Sequence, residues 1–137
     1  MSRPPSTALS EAEQFAAPGD VEALAEFCRS LDLLTDRWPA LLDQVSEPNW
    51  QEGLLRIAQY LICRHWFQAV SDWDLSSRVK LAVSACALLS RLPGPLAGSA
   101  QLWSKEIENS AENLNAWLDA AYTEPALTDA NLLGLLA

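Results

Sequence analysis

Residues 49–71, NWQEGLLRIAQYLICRHWFQAVS, decide the fold. Asn49 followed three residues later by Glu52 is typical of a capping box and predicts a helix of about 20 residues that runs through Ser71. The apolar residues recur at helical spacing but occupy more than one stripe of the helix surface. They are Leu54, Ile57, Ala58, Leu61, Ile62, Trp66, Ala69 and Val70. We therefore predict that this helix is the most buried one and that other helices surround it on several sides.

Upstream of this stretch, the sequence predicts two shorter helices. Asp20 can cap a helix that runs to about Asp32, because apolar residues recur there at intervals of three and four. Thr35 or Asp36 can cap the second, with Pro39 in its first turn, where the missing N–H has little cost.

Downstream, three more helical segments follow. Asp74 can cap a helix over residues 75–92, which the sequence Pro-Gly-Pro then stops. The next helix begins near Ser99 and has a kink or break at residues 109–110, where a second helix start occurs. A last short helix is capped by one of residues 128–129.

No segment shows the period of two that is typical of a strand, so we predict an all-α fold: a single compact bundle of five to six helices. A length of 137 residues suits one domain. Residues 1–17 have little periodicity and are expected to form a flexible N-terminal lead, whereas residues 18–137 form the helical domain.

The formal charge of −9 is unfavourable for binding the negatively charged phosphates of nucleic acids, so we expect no nucleic-acid partner. The charge is segregated. Residues 1–52 carry ten acids and three bases, residues 53–105 carry two acids and six bases, and residues 106–137 carry six acids and no base. Either the acidic ends fold against the basic middle, or the middle is a docking face for an acidic partner.

Cellular location is indicated by three features. Cys28, Cys63 and Cys86 are far apart, match no metal-ligand spacing and are expected to be reduced, mostly buried thiols. Residues 1–10 lack the apolar block of a secretory signal, and the longest apolar run, residues 81–89, is too short to span a bilayer. We therefore expect a cytoplasmic protein that does not engage a membrane.

Few residues are suited to catalysis or metal binding. His65 is the only histidine, and Cys63 lies two positions before it, which places the two side chains about 200° apart on a helix. The chain also has no glycine-rich phosphate loop or nucleophile elbow. We expect no metal and no cofactor in this chain, and a structural role for His65 is favoured over a catalytic one.

Two acidic residues and six tryptophans have simple structural explanations. Glu106 and Glu108 diverge on a helix, so a solvated charged face is favoured over an acid/base pair; Lys105 can share a surface with Glu108.

The tryptophans are expected to fill the core or a groove rather than to stack on a ligand. They are Trp38, Trp50, Trp66, Trp73, Trp103 and Trp117.

Three stretches resemble the C-terminal half of the flagellin lysine N-methylase family. They are LDLLTDRWPALL at residues 31–42, YLICRHWFQAVSDWDLSSRVKL at residues 60–81 and LWSKEIENSAENLNAWL at residues 102–118, in the family's order. The positions that match the family's motifs are Trp38, Arg64, His65, Asp74, Arg78, Lys80, Ser104, Glu106, Glu108, Ser110, Glu112 and Asn113.

The sequence also departs from that family. Its cysteine-rich N-terminal part, which suits a metal or iron–sulfur site, has no counterpart in these 137 residues. Asn109 stands where the family has a histidine, and Lys105 where it has an arginine. The resemblance therefore implies a helical domain that supports or presents a protein substrate for lysine methylation rather than catalysing alone, with the missing cysteine-rich domain or another protein as its partner.

An alternative function is a free-standing interaction module, such as a homodimer, with an apolar groove rimmed by Arg64, Arg78 and Lys80 that holds an acidic or amphipathic partner segment. The motif's polar residues either line such a groove or join helices in a buried network. In the network, Arg78 would pair with a carboxylate. Its candidate partners are Asp74, Glu106 and Glu108. The full set of candidate site residues is Arg64, His65, Asp74, Arg78, Lys80, Lys105, Glu106, Glu108 and Asn113.

Overall fold

The computed structural model describes residues 19–31, 33–34 and 36–136. In this part of the chain the fold is all-α, with seven α-helices and no strand. The α-helices are α1 (Val21–Arg29), α2 (Arg37–Leu42), α3 (Glu52–Asp72), α4 (Leu75–Leu89), α5 (Leu96–Trp103), α6 (Ala111–Thr123) and α7 (Asp129–Leu136). A π-helix, Ser104–Glu108, continues α5, and a 3₁₀ turn, Pro125–Leu127, follows α6. The predicted N-terminal lead, residues 1–17, lies outside the described residues.

Four of the predicted helix starts carry a capping side chain, and the last of them is Thr128, whose Oγ1 accepts a hydrogen bond from the backbone N–H of Asn131 at 3.2 Å. The side chain of Asp20 accepts a hydrogen bond from the backbone N–H of Ala23, and Asp74 accepts one from Ser77. Ser110 accepts one from Asn113 and so starts α6 after the predicted break. Each cap satisfies a backbone donor that the first turn of a helix leaves without a partner.

The predicted cap at Asn49 is wrong, because α3 begins three residues later at Glu52, with Gln51 as its N-cap. The backbone N–H of Asn49 instead donates to the carbonyl of Ser90 at 2.8 Å. This tertiary hydrogen bond fixes Asn49 at the end of α4, where it cannot cap α3.

The centre of the bundle is α4, with ten of its fifteen residues buried. It packs against α3 along its length and also against α6 and α7. Small residues such as Ala82, Ser84 and Ala85 bring these neighbours close to it. The prediction that α3 is the central and most buried helix is wrong, because only four of its 21 residues are buried, against ten of fifteen in α4.

Helix α3 lies at the edge of the bundle. Only four of its 21 residues are buried, namely Leu54, Leu61, His65 and Ala69, and it packs principally against α4. Its apolar residues form more than one stripe, as predicted, but one stripe faces away from the bundle. The sequence pattern correctly indicates a helix with several apolar sides, although the described part of the chain covers only one of them.

A tryptophan cluster fills the core beside α4. The rings of Trp103 and Trp117 meet edge to face with centroids 5.9 Å apart, and Phe27 meets Trp117 at 5.5 Å. The indole N–H of Trp117 donates to Ser84 Oγ at 2.9 Å. These contacts join α1, α4, α5 and α6 around one side chain.

The two ends of the described chain meet. Asn131 accepts a hydrogen bond from the backbone N–H of Asp20 at 2.6 Å and donates to the carbonyl of Ala126 at 2.7 Å. Gly19 lies so close to the backbone of Gly134 and Leu135 that a Cβ atom at this position would overlap it. Among the described helices, none has the length and apolar character needed to cross a membrane.

Candidate functional site

The third stretch of the resemblance adopts an unusual backbone. Ser104–Glu108 forms a π-helix, which the break at Asn109 then ends. One-turn π-helices insert an extra residue into a helix and occur frequently at functional sites. Here the π-helix presents Glu106 and Glu108 to different parts of the protein, and both glutamates are buried. The solvated charged face that the sequence favoured is therefore not present at these two residues.

Glu108 is the hub of a polar cluster between α3 and the π-helix. Its side chain is 1% exposed. Oε2 lies 3.2 Å from Arg64 Nε and 3.2 Å from His65 Nε2, and Oε1 accepts a hydrogen bond from Ser104 Oγ at 2.9 Å. The hydroxyl of Tyr60 lies 3.4 Å from Oε1. We call these five residues the Glu108 cluster.

The order of groups in the Glu108 cluster indicates a structural role, in which it joins two helices, rather than nucleophilic catalysis. In a serine nucleophile system, a histidine lies between the hydroxyl and the carboxylate and takes the proton from the hydroxyl. In this cluster the carboxylate of Glu108 lies in the middle and binds both Ser104 and His65. The hydroxyl therefore donates to a carboxylate instead of an imidazole, and the cluster holds α3 against the π-helix.

The pKa of His65 is lowered from its ordinary value of 6.5, chiefly because burial disfavours the charged ring. The hydrogen bond and the charge of Glu108 act in the opposite direction, and Arg64 and Arg78 lower the pKa further. Because a carboxylate oxygen accepts, Nε2 of the neutral ring carries the hydrogen that it donates to Glu108.

This lowered pKa predicts that the protein loses stability as the pH falls below about 6.5, the pKa of an unfolded histidine. Below that pH the unfolded state binds a proton that the folded state resists, whereas above it the contribution is constant. We expect the urea midpoint to fall between pH 7.5 and pH 5.5. His65→Gln keeps a donor but does not titrate, so its midpoint should fall less over the same interval. Equal slopes for the two proteins would contradict the assignment.

Glu106 and Asn113 hold the neighbouring backbone in place. Glu106 Oε2 accepts a hydrogen bond from the backbone N–H of Leu34 at 2.7 Å, which ties the segment before α2 to the π-helix. The side-chain amide of Asn113 donates to the carbonyl of Glu106 at 2.9 Å. This second bond spans the break between the π-helix and α6 and satisfies a carbonyl that the break leaves open.

Arg78 belongs to a separate group at the junction of α3 and α4. Its guanidinium pairs with Asp72 at 2.9 Å and with Asp74 at 3.3 Å. Of its three predicted partners, the structure pairs Asp74 with it, while Glu106 and Glu108 bind elsewhere. The pKa of Asp74 is lowered from its ordinary value. Desolvation acts to raise this pKa, but the hydrogen bonds that Ser77 and Tyr122 donate to Asp74 and the charge of Arg78 lower it by more.

The two lysines of the candidate set are not part of either group. Lys80 Nζ donates to the carbonyl of Ala121 at 3.0 Å and pairs with Asp129 at 3.2 Å, so it joins α4 to the end of α6 and to α7. Lys105 is exposed. Because Arg64, Arg78 and Lys80 each pair with a carboxylate of this chain, the structure does not bring them together as a free basic rim.

An apolar surface on α3, which the sequence analysis did not single out, is the most distinctive feature of the exterior. Trp73 is 91% exposed, Phe67 82%, Val70 54% and Trp66 48%. Ile62 and the thiol of Cys63 extend the surface toward the middle of the helix. We call these six residues the aromatic face. A shallow cavity of about 200 Å³ runs beside it and reaches Leu75 on α4.

Trp73 combines high exposure with a strained backbone. It ends α3 in the left-handed conformation, with φ of 59°, and is the one non-glycine residue with positive φ among the described residues. Glycine is the usual residue at this position of a helix end, because a Cβ atom there costs about 1 kcal/mol. A large apolar residue that contributes little to the core thus occupies a position that favours glycine.

The cysteines and histidine do not form a metal site in the described part of the chain. On the continuous helix α3, Cys63 is exposed and His65 is buried. Cys28 and Cys86 are buried, and burial raises the pKa of both thiols, to about 11 for Cys86. Within residues 19–31, 33–34 and 36–136, no three His, Cys, Asp or Glu side chains are grouped so as to hold a metal ion.

Comparisons with protein-family models, with curated proteins and with solved structures give no significant match to this chain. The resemblance to the flagellin lysine N-methylase family therefore stays a prediction from the motifs quoted above.

Proposed function

We propose that this chain is a helical protein-binding module that covers a surface of another protein chain with the aromatic face of α3. The observation that carries the proposal is the exposure of Trp66, Phe67, Val70 and Trp73 side by side on one helix. Single exposed apolar residues are common on protein surfaces, but contiguous patches of several hundred Å² mark binding sites.

The position of α3 supports this proposal. The helix has apolar residues on several sides, yet it lies at the edge of the bundle, and among the described elements it packs principally against α4. A helix with this pattern is typically buried on most of its surface. A partner on the aromatic face would give α3 the surroundings that its sequence indicates.

The Glu108 cluster supports the proposal in a second way. Binding surfaces work best on rigid elements whose orientation is fixed by hydrogen bonds behind them. Arg64 and His65, which directly precede Trp66 and Phe67 in the sequence, anchor this turn of α3 to Glu108. The polar motif residues thus hold the helix that carries the aromatic face.

Tryptophan side-chain signals offer a direct test. Amphipathic helical peptides that differ only in their charged faces would be titrated into ¹⁵N-labelled protein. We expect the indole N–H signals of Trp66 and Trp73 to shift, and those of the buried Trp38, Trp103 and Trp117 to stay in place. Trp50 is 45% exposed but lies outside the aromatic face, so it serves as a control. Equal shifts at Trp50 and Trp73 would indicate nonspecific contact and contradict the proposal.

A second candidate function follows from the resemblance, which implies that the chain supports or presents a protein substrate for lysine methylation. Its support is that Arg64, His65 and Glu108, all motif residues, meet at one joint. We would add this chain to a methylase of that family that lacks its C-terminal half, with flagellin as acceptor. We expect the wild-type chain to restore methylation. The Glu108→Ala variant, which disrupts the contacts of Arg64 and His65 with Glu108, is the control: an equal methylation rate with the wild-type chain and with this variant would contradict this second function.

A further inference from the structure

We infer that the partner on the aromatic face is a second copy of this chain, so that two α3 helices pack against each other across a two-fold axis. This inference rests on the proposed function and names its partner. Three features of the structure support it: the area of the face, its lack of charge and its position along a single helix, which allows the same patch of two copies to pair.

The exposed area suits a dimer. Given the exposed fractions of Ile62, Trp66, Phe67, Val70 and Trp73, the face leaves roughly 600 Å² of apolar surface uncovered. A standard stable interface buries about 800 Å² on each partner. The exposed Leu55, Tyr60 and Leu75 border the face and supply the remainder as a rim. Two such faces are therefore large enough to hold two chains together.

The charges near the face favour self-association over a charged partner. Between residues 62 and 73, the charged side chains are those of Arg64 and Asp72, which pair with Glu108 and Arg78 of their own chain. The exposed Arg56 lies at the rim, between Leu55 and Tyr60, and outside the face. The aromatic face itself is uncharged. An acidic partner segment would thus find no free basic group on the aromatic face. Although the whole chain has a net charge of −9, two copies that meet through this face bring no like charges together on it.

A two-fold axis requires the same patch on both copies. The aromatic face meets this requirement, because it is a single helix surface that is apolar along its length. Two antiparallel α3 helices would set the aromatic side chains of one chain against those of the other. Antiparallel packing also places opposite helix dipole ends together, which is favourable.

Cys63 provides a reporter within the face. It is exposed there, whereas Cys28 and Cys86 are buried and have raised pKa values, so a thiol reagent reacts first at Cys63. In the proposed dimer, the two Cys63 thiols lie on facing helices.

Sedimentation equilibrium of the full chain at 1 to 200 μM tests the inference. We expect the wild-type chain to change from monomer to dimer within this range. Phe67→Gln should weaken the association at least tenfold, because it removes an aromatic ring of the face that is 82% exposed. Leu34→Gln makes the matched change at a residue that is 67% exposed but outside the face, and it should leave the association unchanged.

Crosslinking of wild-type protein with a long, flexible bismaleimide gives a second readout that needs no variant, because antiparallel pairing about the middle of the face offsets the two Cys63 residues by about 13 Å along the helix axis. We expect a dimer linked through Cys63, formed in a concentration-dependent way. A chain that stays monomeric at 200 μM, or a dimer that Phe67→Gln does not weaken, would overturn the inference. The peptide titration is repeated at 1 μM, where the chain is expected to be monomeric, with tryptophan fluorescence as the readout; a saturable change there that is lost when Trp66 and Trp73 are replaced by phenylalanine would uphold the proposed function even if the dimer fails.

Discussion

Glu108→Ala is expected to lower the free energy of unfolding by about 3 kcal/mol, because it leaves the donors of His65 and Ser104 unsatisfied at about 1 to 3 kcal/mol each, whereas Arg64, whose side chain is 47% exposed, can be hydrated. For a chain of this size that corresponds to a fall in Tm of about 12 °C. The substitution leaves Arg64 without its carboxylate, and it leaves His65 and Ser104 without the acceptor that satisfies them. Urea denaturation monitored by circular dichroism measures the effect.

Arg78→Ala is the matched control for Glu108→Ala, because both remove a charged group from a motif-derived ion pair. The carboxylates that Arg78 leaves behind, Asp72 and Asp74, have side chains that are 46% and 26% exposed and can be hydrated. Its cost should therefore be about 1 kcal/mol. If Arg78→Ala destabilises the protein as much as Glu108→Ala, Glu108 is not the hub that its contacts indicate.

Trp117→Ala is expected to cost about 3 to 5 kcal/mol, because truncating a fully buried tryptophan leaves a large cavity. The ring contacts Phe27 and Trp103, and its indole N–H binds Ser84. The substitution therefore loosens α1, α4, α5 and α6 together. Thermal unfolding followed by circular dichroism is the measurement.

Two controls separate cavity formation from other effects. Trp117→Phe retains an aromatic ring and should cost clearly less than Trp117→Ala. Trp50→Ala makes the same change at a half-exposed position and should cost less than about 1 kcal/mol. A cost for Trp117→Ala no larger than that for Trp50→Ala would show that the tryptophan cluster does not organise the core.

Local chemistry explains which helix starts the sequence could predict. Asp20, Asp74 and Ser110 cap helices through hydrogen bonds to residues three positions away, so the information lies within one turn. Asn49 has the same local pattern, but a hydrogen bond to Ser90 determines its place. That contact joins residues 41 positions apart and leaves no local signal.

The sequence predicts the apolar pattern of α3, but the contacts that complete the candidate site come from distant parts of the chain and leave no local signal. The apolar pattern of α3 indicates several buried sides, but it does not say whether this chain or a partner covers them. The buried positions of Glu106 and Glu108 depend on a π-helix, and hydrophobic periodicity counts glutamate as a surface residue. The motif drew attention to these residues, and only the structure places Glu106 against Leu34 and Glu108 against α3.

Trp73→Gly tests most directly whether the aromatic face serves binding at a cost to the stability of the fold. Trp73 is 91% exposed and strained, so glycine should keep the unfolding free energy of the monomer unchanged or raise it by up to about 1 kcal/mol. The same substitution should weaken self-association at least tenfold, since it removes the most exposed ring of the face. A variant that is less stable by more than 1 kcal/mol, or that associates as strongly as the wild-type chain, would contradict the account.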